Sequence, residues 1–161
     1  MKNIATRALS ASTLGLLLLT AACSKDKETQ PTPSGTWQVD GQAQSSSNVL
    51  VNDQNGQLEI DIWQNFSSST GNGSAVVCTL YVPRQTGTFS LTGASARASY
   101  TDHSGTGQSG DLYIGNRGSI TVSSLANGYV SGTFTFSGPG FQNPQLTKTI
   151  TAGKFTARLP Q

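Results

Sequence analysis

Alternation with a period of two constrains this chain more than any other feature. In QLEIDIW, residues 57–63, Leu58, Ile60 and Ile62 fall on one face of an extended backbone and Glu59, Asp61 and Trp63 on the other. That pattern predicts a half-buried strand. The next run, AVVCTLYV at 75–82, is apolar on both faces, with Val76, Cys78, Leu80 and Val82 opposed to Val77 and Tyr81, and predicts a central strand covered on both sides. Nine further segments read the same way: TWQV, SNVLV, TFSLT, SARASYT, DLYI, SITVSSL, YVSGTFTF, LTKTIT and KFTARL. Between them lie Asp40-Gly41, Asn55-Gly56 and Asn127-Gly128, dipeptides suited to two-residue hairpin loops, which require positive φ. No segment after residue 35 carries the i, i+3, i+4, i+7 spacing of an amphipathic helix. The expected fold is all-β, a single antiparallel β-sandwich or up-and-down β-barrel of about 8–11 strands. Composition agrees, since charged residues make up only 11% of the chain, against about 25% in ordinary soluble domains.

Before the strands comes an address. MKNIATR carries Lys2 and Arg7 and no acid, Ala8 to Thr20 form an apolar run rich in leucine, and small residues lead to Cys23. This is the layout of a signal peptide over residues 1–22. Thirteen helical residues cover only about 20 Å, short of the roughly 30 Å of bilayer hydrocarbon, so a permanent span is the weaker reading. The stretch ending in Thr20-Ala21-Ala22-Cys23 resembles a bacterial lipobox, with Thr20 at a position where that family prefers Leu. The resemblance implies cleavage before Cys23, a diacylglycerol on its thiol and acylation of the new amino group. Two or three acyl chains hold a protein on a membrane as one cannot, each buried methylene contributing about 0.8 kcal/mol. Cys23 is thus the expected lipidation site and the membrane the expected partner.

Ser24-Lys25-Asp26-Lys27-Glu28 resembles the surface-export signal of Bacteroidota lipoproteins, with Lys27 standing between the acids. It implies an outer-membrane protein displayed on the cell surface, the periplasmic face being the alternative. Residues 24–34, SKDKETQPTPS, hold no apolar side chain and two prolines. At about 3.1 Å per residue these eleven residues reach at most roughly 34 Å, and with Cys23 they form a linker over 23–34.

Residues 35–161 form the β domain. YVSGTFTFSG at 129–138, TITAGKFTARL at 149–159 and the early Trp37 to Gly41 together resemble a domain-of-unknown-function family of Bacteroidota lipoproteins. That family implies no catalytic residue and no ligand. On the residues themselves, Val130, Phe134 and Phe136 share a face on which Gly132 leaves a gap. Gly153 is expected to turn a final hairpin so that Phe155, Ala157 and Leu159 share a face.

Chemistry is sparse. His103, the one histidine, has Asp102 and Asp111 near it in sequence, fewer groups than the three or four side chains that ordinarily bind zinc, so a loop histidine is expected and no metal site. Gly105, Gly107 and Gly110 match G-x-G-x-x-G only formally, because a strand and not a helix follows. NDQNGQLE is no calcium loop, since Ile62 occupies the place of the bidentate acid. There is no G-x-S-x-G elbow, and no cofactor is expected. Cys78, without a partner once Cys23 is acylated, reads as a small buried hydrophobe. From Gly35 onward six basic residues balance six acidic ones, which argues against nucleic acid as a partner.

Trp63 is the candidate that stands out. It shares a strand face with Glu59 and Asp61, and an aromatic platform beside carboxylates is one way to hold a sugar. The competing reading has Trp63 ending its strand and tucking under NFSSSTGNGS. The leading expectation is a lipid-anchored, non-enzymatic binding or interaction module with a glycan or envelope protein as partner. The alternative is a barrel binding a glycan or apolar small molecule at Trp63 or in its interior, and a hydrolase using Asp and Ser ranks last.

Overall fold

The computed structural model describes residues 30–68, 71–102 and 110–161, without the side chains of 66–68, 71–74 and 76. The expected signal peptide over residues 1–22, Cys23, most of the expected linker and His103 lie outside the described residues. Eleven strands follow one another among those described: β1 (Ser34–Val39), β2 (Gln42–Ser46), β3 (Asn48–Gln54), β4 (Gln57–Ser68), β5 (Gly71–Pro83), β6 (Gly87–Ser90), β7 (Arg97–Thr101), β8 (Leu112–Ile114), β9 (Arg117–Ala126), β10 (Tyr129–Pro139) and β11 (Thr147–Arg158).

They form two antiparallel sheets packed together as a β-sandwich, one ordered β2-β1-β11-β10-β9-β6 and the other β3-β4-β5-β7-β8. The chain changes sheets at corners. Ser47 alone separates β2 from β3, residues 91–96 separate β6 from β7, and Gly115-Asn116 separate β8 from β9. Counting each of these broken strands once, the order around both sheets is the order of the chain, and β11 closes the circuit by pairing with β1. The sandwich is therefore built as an up-and-down meander.

Hairpin chemistry lies where the sequence expects it. Asp40, Asn55 and Asn127 have φ of 48°, 55° and 53°, and the glycines after them 84°, 81° and 77°, which suits two-residue loops matching the twist of the flanking strands. Asp53 Oδ1 accepts the Gly56 N–H at 3.2 Å. NDQNGQLE is a hairpin.

Alternation decides what is inside. Leu58, Ile60 and Ile62 are wholly buried in β4, and Val130, Phe134 and Phe136 in β10 face the same interior, against Trp37, Ile150 and Phe155. Every buried side chain of the described core is apolar or aromatic, and each large one removed from water contributes about 1.5–3 kcal/mol. Glycines let the sheets approach. A methyl group on Gly35 would lie 3.0 Å from the Ile62 side chain of the opposite sheet, and one on Gly115 would lie 2.9 Å from the Phe136 ring.

Four local expectations are corrected. LTKTIT and KFTARL are one strand, β11, and Gly153 turns no hairpin: a methyl group there would lie 2.6 Å from the Phe134 ring. The break in pattern is a bulge, where Thr151 and Ala152 together oppose Thr135 and Ala152 takes φ of 50°. β2, QAQSS, is a strand that its polar composition concealed; its side chains stay half-buried or exposed. β5 is central in its sheet but covered on one side only, with Thr79 and Tyr81 half-buried on the outer face. Val77 nevertheless packs inward, because Ile62 pairs with Cys78 and Trp63 with Val76, leaving Val77 at a bulge that shifts the alternation by one. Nor does Trp63 end β4, which runs on to Ser68.

Candidate functional site

Register brings the Trp63 face together in rungs across the five-stranded sheet. Asn52, Glu59, Tyr81 and Arg97 form one rung, and Leu50, Asp61, Thr79, Ser99 and Ile114 the next. Asn48 and Trp63 begin a third. The three candidates are therefore neighbours on one outward face, as the alternation predicts.

Their chemistry differs. Glu59 accepts from the Tyr81 hydroxyl at 2.5 Å and from Gln54 Nε2 at 3.1 Å, so both of its oxygens are engaged within the sheet. Asp61 accepts from Thr79 Oγ1 at 2.8 Å. Partial burial holds its pKa above the ordinary carboxylate value, against the opposing effect of the Thr79 hydrogen bond. Both acids serve the β4–β5 pair first.

Trp63 is set apart from them by what borders it. It is half-buried at the β4–β5 bulge, and β2 crosses into β3 beside it. The Ser46 hydroxyl donates to the Trp63 carbonyl, the Asn48 N–H donates to Ser46 Oγ at 3.0 Å, and Gln64 Nε2 donates to Gln44 Oε1 at 3.0 Å. These bonds tie the corner to β4. Between them opens a crevice of about 390 Å³ lined by Ser45 to Asn48, Trp63, Gln64 and Asn65, near the lower end of the about 300–1,000 Å³ usual for small-ligand sites. No lining residue is charged. The Trp63 indole N–H is buried without a hydrogen-bond partner, a donor the fold leaves unused.

No protein-family model, curated protein or solved structure matches the chain. Function must be read from the site alone.

Elsewhere the carboxylates are paired for structure. Asp53 bridges Arg84, in a groove of about 600 Å³ that also includes Asn52, Gln54 and Gln161. Asp40 accepts the Thr149 N–H at 3.0 Å, which lowers its pKa, and also meets Lys148 Nζ at 3.1 Å. Lys148 in turn lies 3.6 Å from Asp102. Asp111 holds the β10–β11 loop by accepting the N–H groups of Gln142 and Asn143 at 2.8 and 3.2 Å. Among the described residues no three His, Cys, Asp or Glu side chains converge as metal ligands would. Cys78 is wholly buried, and burial pushes its thiol far above the ordinary range, as suits a packing residue.

The serine run at the corner is the part of the site that sequence reasoning missed. Its signal was present in Ser45-Ser46-Ser47-Asn48, four small hydrogen-bonding residues where an apolar alternation is about to begin. Nothing in that spacing shows that a tryptophan fifteen residues later will stand beside them; the antiparallel pairing of Asn48 with Trp63 does.

Proposed function

We propose that this chain is a lipid-anchored cell-envelope protein, held in the outer membrane through acylated Cys23 and displayed on the cell surface, whose β domain is a non-enzymatic binding module using the Trp63 side of the five-stranded sheet. The observation that carries the binding reading is the use made of the carboxylates. All six in the described domain hold structural partners: Asp40 and Asp102 with Lys148, Asp53 with Arg84, Glu59 with Tyr81, Asp61 with Thr79 and Asp111 with loop amides. A hydrolytic acid and base would need carboxyl groups free to exchange protons with a substrate.

Ligand contact falls on the outside because the interior is occupied. The inward side chains of both sheets, Leu58, Ile60 and Ile62 of β4 with Phe134 and Phe136 of β10 and Phe155 of β11 among them, join in one apolar cluster, so side chains fill the space an enclosed ligand would take.

The anchor is tested by metabolic labelling with a fatty acid. Wild type incorporates label and sediments with membranes, while Cys23→Ala does neither; labelling that persists in Cys23→Ala overturns the anchor. Protease added to intact cells removes a surface-displayed domain, and full protection places it in the periplasm.

A further inference from the structure

We infer that the crevice at the β2–β3 corner takes a neutral oligosaccharide, with the Trp63 ring against the apolar face of a sugar unit and the amides and hydroxyls of the corner on its hydroxyl groups. The inference rests on Trp63 being the binding surface and adds the chemical class of the ligand.

Three properties of the crevice select that class. It joins an aromatic ring to side chains that both donate and accept: the hydroxyls of Ser45 and Ser47 and the amides of Asn48 and Asn65. A sugar hydroxyl also does both, so each can be met twice, whereas phosphate or carboxylate oxygens only accept. The second property is the absence of charge from the lining. Lys and Arg, the groups that capture anionic ligands in a desolvated site, are not among its lining residues. Availability is the third. Ser46 and Gln64 are spent on tying the corner to β4 and to Gln44, while Asn48 and Asn65 are exposed.

The arrangement is also held in place. The single-residue link at Ser47 and the Ser46 hydroxyl on the Trp63 carbonyl tie the corner to the Trp63 backbone, so little backbone freedom remains to be lost on binding.

The test uses the full mature lipoprotein in a detergent without a sugar head group, titrated calorimetrically with cellohexaose, maltohexaose and mannohexaose as neutral probes and hexagalacturonate as the acidic one. At least one neutral hexaose is expected to bind, more tightly than hexagalacturonate. Trp63→Ala is expected to lower that affinity about tenfold or more, and Trp63→Phe less. Asn48→Ala removes an exposed amide that holds no structural partner, and should cost about threefold to tenfold; its thermal melt should match wild type. Should Trp63→Ala fail to fold, Asn48→Ala and Trp63→Phe carry the result.

Failure of any neutral hexaose to bind overturns the inference. Binding of hexagalacturonate alone, lost on substitution of Trp63 or Asn48, overturns the neutral class and keeps the surface. Neutral binding that none of these variants moves overturns the surface itself, and with it the binding site of the proposed function.

Discussion

The Tyr81 hydroxyl donates to Glu59 Oε1 at 2.5 Å across the β4–β5 pair, a phenol and a carboxylate directly opposite one another in register. That hydrogen bond, with a smaller contribution from desolvation, pushes the Tyr81 pKa up to about 12, because ionising the phenol would remove the donor and set two anions side by side. A raised folded-state pKa means that the contribution of Tyr81 to stability is present below pH about 10 and fades as the pH rises toward about 12. Absorbance titration near the phenolate band should show Tyr81 ionising late, and Glu59→Gln should bring it back toward its ordinary value. An unchanged titration in Glu59→Gln would break the assignment.

Asp61 sits one rung away with the opposite consequence. Desolvation raises its folded-state pKa, so its charged form, present at neutral pH, weighs against the folded state, and the penalty disappears once it is protonated. Asp61→Asn keeps an acceptor for Thr79 Oγ1 and removes the charge. The variant is expected to melt at a higher temperature than wild type at pH 7. The gain should vanish below pH about 4, where wild type is neutral in both states.

Two substitutions of one methyl group should act in opposite directions on neighbouring strands. Gly132 in β10 has the Thr121 carbonyl oxygen 2.0 Å from where a methyl group would sit and the Phe155 ring 2.7 Å from it. Because backbone cannot move aside cheaply, Gly132→Ala should cost about 3 kcal/mol, the upper end of ordinary overpacking. Ala152 in β11 occupies φ of 50° at its bulge, a region that favours glycine. There Ala152→Gly relieves about 1–2 kcal/mol of backbone strain and loses about 0.5–1 to entropy, for a net gain of about 0–1.5 kcal/mol. Denaturant unfolding of the pair checks both signs.

Trp37 is 2% exposed and its indole N–H has no hydrogen-bond partner. An orphaned buried donor costs about 1–3 kcal/mol, so Trp37→Phe should be tolerated within about 1 kcal/mol, the lost volume offset by removal of the donor. Trp37→Ala has no such compensation and should cost about 3–5 kcal/mol. Chemical denaturation of both variants separates packing from polarity at this position.

Much of the fold was legible because it is written in local terms. The alternation in β4, the glycine-containing turns after Asp40, Asn55 and Asn127, and the apolar face of β10 each depend on residues within a few positions of one another. β2 was not legible, since QAQSS has no alternation to read and is a strand only because it pairs with Trp37 and its neighbours on β1. Gly153 was misjudged for a related reason: glycine reads as a turn, but here it makes room for the Phe134 ring on the adjacent strand. Of the candidate site, Trp63, Asp61 and Glu59 could be placed on one face from sequence. That Glu59 is engaged by Tyr81 and Gln54, and that Trp63 borders serines and amides, came from register and bulges.

By itself, then, the sequence determined that the fold is built of antiparallel strands, which faces of β4 and β10 are buried and where the hairpins at Asp40, Asn55 and Asn127 fall, because period-two burial and positive-φ dipeptides are properties of short segments. Only the tertiary structure decided that the strands divide into two sheets with shared corners, that one bulge turns Val77 inward, and that Ser45 to Asn48 meet Trp63 in an uncharged crevice. Those outcomes depend on pairings between residues distant in the chain, and the choice among pairings is made by the packing of the whole core.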